Sequence, residues 1–123
     1  MSCPWNVTDL KKVFKVKTLN KDEILFKEGE TDGEGYIIET GTISLIKNNI
    51  RAEILGPGEV LGVWKVFFKN EGRFFTAVAE EKTNVIILPE EYLEEKVSKA
   101  DPFIKHCFRS WLDLTRKFMM GSK

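Results

Sequence analysis

The stretch Leu55-Gly56-Pro57-Gly58-Glu59-Val60-Leu61-Gly62 is followed, eleven residues after its last glycine, by Arg73-Phe74-Phe75-Thr76. A glycine-rich turn runs into a short apolar segment, and a single arginine then opens an apolar strand. Such an order builds a small anion pocket, with backbone N–H groups at a helix start on one side and a guanidinium on the other. The residue after Gly62 is Val63, which brings no hydrogen-bond acceptor of its own.

Upstream of that stretch the pattern is one of short strands. Val16-Lys17-Thr18-Leu19 and Glu23-Ile24-Leu25-Phe26-Lys27 read as strands on either side of the turn-prone Asn20-Lys21-Asp22. A polar loop from Glu28 to Gly35, rich in glycine, leads to Tyr36-Ile37-Ile38-Glu39, and Gly41 hinges that strand to Thr42-Ile43-Ser44-Leu45-Ile46. Asn48-Asn49 is a hairpin turn leading into Ile50 to Leu55. Before all of these, residues 7–14 form a short helix capped by Thr8 or Asp9, with Leu10, Val13 and Phe14 as its buried stripe.

Downstream, Phe74 to Ala79 and Thr83 to Leu88 are two further strands. Pro89 opens a helix through about Val97, with Glu90 and Glu91 in its positive first turn. Asp101-Pro102 caps a last helix whose apolar residues are Phe103, Ile104, Cys107, Phe108, Trp111, Leu112, Leu114 and Phe118. That stripe is wider than one packing face requires, and it predicts a homodimer seam along the helix. Many short strands followed by helices imply a mainly β protein. The expected form is a double-stranded β-helix (jelly-roll) barrel over residues 15–88, with short flanking helices and C-terminal helices over 89–118, all in one domain spanning 1–123.

Composition narrows the function. The 123 residues carry 19 basic and 19 acidic side chains, so no global field draws nucleic acid or an anionic membrane. The longest apolar runs, such as Val85-Ile86-Ile87-Leu88, are too short to span a bilayer, and Met1 to Asn6 has no signal-peptide pattern. A cytoplasmic protein is expected, with Cys3 and Cys107 as free thiols. His106 is the only histidine and no serine or carboxylate pairs evidently with it, so neither a hydrolytic triad nor a metal-using enzyme has support. No catalytic activity and no cofactor are expected.

The quoted stretch, together with Ile24-Leu25-Phe26-Lys27-Glu28-Gly29-Glu30, Gly35 to Gly41, Arg73 and Val85 to Leu93, resembles the cyclic nucleotide-binding domain. That domain is shared by catabolite activator proteins, cyclic-nucleotide-dependent kinase regulatory subunits and gated channels. The resemblance covers about residues 15–115. It implies a sensory module whose ligand is cAMP or cGMP. Gly62, the amides of Val63 and Trp64, Arg73, Phe74 and Thr76 would surround the cyclic phosphate. Leu61, Phe75 and Met119 would lie against ribose or base, and binding would reposition the Pro102–Phe118 helix.

Two departures give the resemblance an alternative. The family places a glutamate where Val63 stands, to accept the ribose 2′-hydroxyl; losing such a bond costs about 1.5–3 kcal/mol, roughly ten- to hundred-fold in affinity. Phe74-Phe75 stands where small residues are usual, and these rings either fill the ribose cavity or cover a purine face. The alternative is a degenerate fold without nucleotide, serving as a protein-interaction or dimerisation scaffold, with Arg73 paired internally, to Glu71 for example. Glu59 is a candidate substitute for the missing ribose acceptor and Lys65 for a second cation at the phosphate. The chain stops at Lys123, so no helix-turn-helix DNA-binding domain is expected within it.

Overall fold

The computed structural model describes residues 7–68 and 71–121. Eight strands follow a short helix α1 (Val7–Lys11): β1 (Val16–Leu19), β2 (Ile24–Phe26), β3 (Gly35–Thr40), β4 (Ile43–Lys47), β5 (Ile50–Leu55), β6 (Val60–Leu61), β7 (Thr76–Ala79) and β8 (Thr83–Leu88). A 3-10 turn, Val63–Val66, sits between β6 and β7, and helices α2 (Glu90–Ser98) and α3 (Pro102–Gly121) close the chain.

The strands form two four-stranded antiparallel sheets, ordered β1-β8-β3-β6 and β2-β7-β4-β5. They are the jelly-roll layers expected from the strand pattern. Leu25, Phe26, Ile43, Ala77 and Ala79 from one sheet meet Leu19, Tyr36, Ile38, Leu61 and Val85 from the other in a shared core. The sheet containing β8 and β3 is buried on its outer face as well, where Ile37, Ile86 and Leu88 meet Leu93 of α2, with Leu10, Phe14, Val63, Val66 and Tyr92 packed against them. Burial on both faces explains why Tyr36-Ile37-Ile38 and Val85-Ile86-Ile87-Leu88 are unbroken apolar runs instead of alternating ones.

Turn chemistry follows the residues. Asn48 and Asn49 both take positive φ, 53° and 66°, which is the geometry of a type I′ hairpin between β4 and β5. Gly41 has φ +93°, and a Cβ there would meet Thr83 Oγ1 and the Lys82 carbonyl, so the hinge admits glycine alone. At the start of α3, Asp101 Oδ1 accepts the N–H of Phe103 at 2.8 Å, leaving Pro102 in the first helical position where its missing donor costs nothing.

Two expectations are corrected. α1 ends at Lys11 and passes into a turn, and because it begins at Val7, Asp9 lies inside it and does not cap it. Val13, expected in its buried stripe, is 74% exposed: the helix is too short to bring that position round to the sheet. The wide stripe of α3 is not absorbed by the core. Phe103, Phe108, Trp111 and Leu114 remain exposed, because the helix meets the rest of the domain mainly along one edge.

Candidate functional site

Gly62 leaves β6 at φ +83°, turning the chain into the 3-10 segment Val63–Val66. A Cβ on Gly62 would lie 2.6 Å from Arg73 Nη1. The glycine therefore supplies both the left-handed conformation and the room for a guanidinium.

Arg73 is the largest fully buried side chain in the structure. Its Nη1 donates to the Gly62 carbonyl at 3.0 Å. Its Nη2 donates to Asp32 Oδ2 at 2.7 Å and to the Glu34 carbonyl at 2.6 Å, and Nε lies 3.4 Å from Asp32 Oδ1. The cation also stacks over the Phe26 ring, 4.4 Å from its centroid. Its backbone is held as firmly: Arg73 N–H donates to the Glu30 carbonyl and Gly29 N–H to the Arg73 carbonyl, at 2.7 and 2.8 Å. One residue thus ties the loop at 29–34, β2 and the Gly62 turn into one body. Of the five guanidinium N–H groups, one on Nη1 is left for a further acceptor.

Lys65 is a second buried cation, 2% exposed, with Nζ donating to the Glu71 carbonyl. Burial, and then the charge of Arg73, hold its ammonium below the usual lysine range. Tyr36 donates its hydroxyl to Glu34 Oε1 at 3.1 Å. Burial, followed by the Glu34 carboxylate, pushes its phenol well above the ordinary tyrosine value.

In front of this framework lies a cavity of about 640 Å³ between the sheets' mouth, α2 and α3. Its walls include Leu61, Gly62, Val63, Phe74, Phe75 and Leu45 from the β layers, and Ile104, Phe108, Trp111 and Leu112 from α3. Phe74 and Phe75 therefore line the space without filling it. Arg73 is not part of the lining; its guanidinium lies behind Gly62. Val63 packs beside Gly35, where a Cβ would come 2.6 Å from Val63 Cγ1. Thr76 lies at the start of β7 and its hydroxyl accepts the Glu28 N–H at 2.9 Å. Glu59 closes its own turn by accepting the Gly56 N–H at 3.0 Å. The side chains of Trp64 and Met119 lie outside the described residues, as does Cys3; the backbone of Trp64 is in the 3-10 turn.

Asp32 and Phe26 are the residues that the sequence reading missed. Nothing local marks Asp32 as the partner of an arginine 41 positions away; the acidic, glycine-bounded loop was the one available signal. Cys107 is free and exposed. Among the described residues no side-chain cluster suits a metal ion, and no helix is long and apolar enough to cross a membrane.

A family model for the cyclic nucleotide-binding domain matches residues 16–100. Among solved structures, the chain is similar to the EAL enzyme Bd1971 in its cAMP-bound form, with a TM-score of 0.79 and 30% identity over 87% of this chain and 29% of that one. The cGMP-bound form of the same enzyme gives 0.76 and 30%, over 84% and 28%. A cyclic nucleotide-binding-like protein from Brucella abortus gives 0.61 and 26%, over 73% of this chain and 80% of that one. The chain thus spans less than a third of the EAL enzyme. No curated protein matches it.

Proposed function

The chain belongs to the cyclic nucleotide-binding domain family, and from that premise we propose that it is a non-catalytic regulatory module whose cavity takes cAMP or cGMP. The observation that carries this reading is the bond from Arg73 Nη1 to the Gly62 carbonyl at the cavity wall. The described peptide bonds are all trans, so a carbonyl turned toward the guanidinium turns the Val63 N–H of the same peptide the opposite way. Gly62 and Val63 both line the cavity, and on this reading that N–H faces it. The first N–H groups of the 3-10 turn have no acceptor within it, and a cyclic phosphate there would receive them. Arg73 would act from behind, through its charge, its spare Nη1 donor and its hold on the peptide plane.

The base would lie among Phe74, Phe75 and the inner row of α3, where aromatic walls offer stacking surface. Lining helix residues Ile104 and Phe108 are 46% and 57% exposed, so α3 stands away from the cavity it faces. Its described tether is Arg109, whose Nη1 donates to the Phe67 carbonyl at 2.9 Å and whose guanidinium lies over Phe68. A ligand that filled the space would give the inner row a surface to close on, favouring one helix position over another. The outer row, Phe103, Cys107 and Leu114, would then carry the signal to a second copy of the chain.

Calorimetric titration with cAMP and cGMP tests the proposal, on the wild type and on Arg73→Lys, which keeps the charge but not the fork. Binding should weaken roughly ten- to hundred-fold in the variant, the cost of one charged hydrogen bond. No heat up to millimolar ligand on the wild type would refute the reading. The alternative, an interaction scaffold without nucleotide, draws on one specific fact: Asp32 and two carbonyls already occupy four of the five donors of Arg73.

A further inference from the structure

The lining of the cavity has a chemistry of its own. Among the described residues it is almost wholly aliphatic and aromatic, Thr115 is the one neutral polar aliphatic side chain, and no carboxylate contributes. The charged members among them are Lys96 of α2 and Lys105 of α3. Lys96 is exposed, with its ammonium 5.4 Å from the Tyr92 ring centroid, and Lys105 is half-buried. Neither has a carboxylate partner among the described residues. The volume, about 640 Å³, lies inside the range of small-molecule sites. An occupant that matches these walls is long, apolar and flexible, and an occupant that matches the two lysines carries one anionic end.

We propose that this cavity is a site for a long-chain carboxylate, its acyl chain among Phe74, Phe75, Phe108 and Leu112 and its head at the ammonium groups of Lys96 and Lys105. This goes beyond the nucleotide reading, since it rests on the lining and the lysines and makes no use of Arg73. A nucleotide brings ring nitrogens and hydroxyls that these walls leave unpaired, which weakens it; an acyl chain brings none. The two ligands would compete for one space.

The test is calorimetry on the 123-residue chain with octanoate, decanoate and dodecanoate below their micellar concentrations, beside decanol and cAMP. Affinity should rise about fourfold per added methylene, the transfer of that group from water. Decanoate should bind more tightly than decanol. Lys96→Gln/Lys105→Gln, a double change at solvent-accessible ammonium groups, should erase that difference and leave decanol unaffected. Phe108→Gln, on a half-exposed helix face, should weaken acid and alcohol together. Absence of binding overturns the proposal, as does binding in which acid and alcohol are equal and indifferent to both lysines. Nucleotide binding without carboxylate binding overturns this inference and keeps the proposed function; the converse result does the reverse.

Discussion

Two glycines with nearly the same backbone separate a conformational cost from a contact cost. Gly62 and Gly58 have φ +83° and +89°. Alanine at either position meets the left-handed penalty of about 1–2 kcal/mol. At Gly58 nothing lies within 4 Å of the added Cβ, whereas at Gly62 it would stand 2.6 Å from Arg73 Nη1 and 3.2 Å from the Glu34 carbonyl. Relieving that clash moves the guanidinium off the Gly62 carbonyl, and a hydrogen bond from a charged donor contributes about 1.5–3 kcal/mol. Gly58→Ala should therefore cost about 1–2 kcal/mol and Gly62→Ala roughly 2.5–5 kcal/mol, out of a total of about 5–15 kcal/mol for a domain. Urea denaturation of both variants, with slopes compared to the wild type, measures the difference directly. Equal destabilisation would show that Arg73 withdraws at no cost, and the account of it as the tie between three segments would fail.

Four further outcomes follow from the structure. Asp32→Ala removes the carboxylate from a guanidinium whose side chain is fully buried, but Asp32 itself is 44% exposed, so solvent screening reduces the loss to about 1–3 kcal/mol in a urea melt, with Asp32→Asn recovering part of it. Tyr36 has its phenol raised by burial and by Glu34; the unfolded chain loses that proton first, so stability is intact below about pH 10 and falls above it, and Tyr36→Phe should flatten the fall in melts at stepped pH. Lys65 has the opposite sign: its ammonium is depressed by burial and by Arg73, the unfolded state binds the extra proton, and stability rises with pH up to about 10.5, a rise that Lys65→Met should remove. The homodimer expected along α3 predicts a sedimentation coefficient that falls in Leu114→Ser, the substitution of a residue that is 55% exposed and does not line the cavity; a monomer at high micromolar concentration would refute it.

Most of the fold was legible because its signals are local. The β3 and β8 runs, the Asn48-Asn49 turn and the Asp101-Pro102 cap each act through a few neighbouring residues, and each stands where the pattern put it. The site was legible only in outline. The sequence brings Gly62 and Arg73 to notice, but it does not say what the guanidinium holds, since Asp32, Glu34 and Phe26 arrive through the pairing of distant segments. Lys65, the candidate second cation at the phosphate, is buried although burying an ammonium is costly. It is inside because Glu71 turns a carbonyl onto it. The α3 stripe shows the limit of pattern alone: width in a helical pattern counts apolar residues, and does not say which row has a partner.

The placement of Arg73 changes what its presence implies about ligand. A guanidinium that projects freely into a pocket has no use without an anion, and keeping it would argue for one. This guanidinium has a use within the domain itself: it joins Asp32, the Glu34 carbonyl, Phe26 and Gly62, the last of which lines the cavity. The glycine-to-arginine frame thus bears on the cavity wall at Gly62, whichever molecule enters. Ligand choice passes to the groups that face the space, Phe74, Phe75, Val63, Lys96, Lys105 and the inner row of α3. Substitutions among these should exchange one ligand for another at little cost in stability, whereas substitutions in the frame should lower stability and binding together.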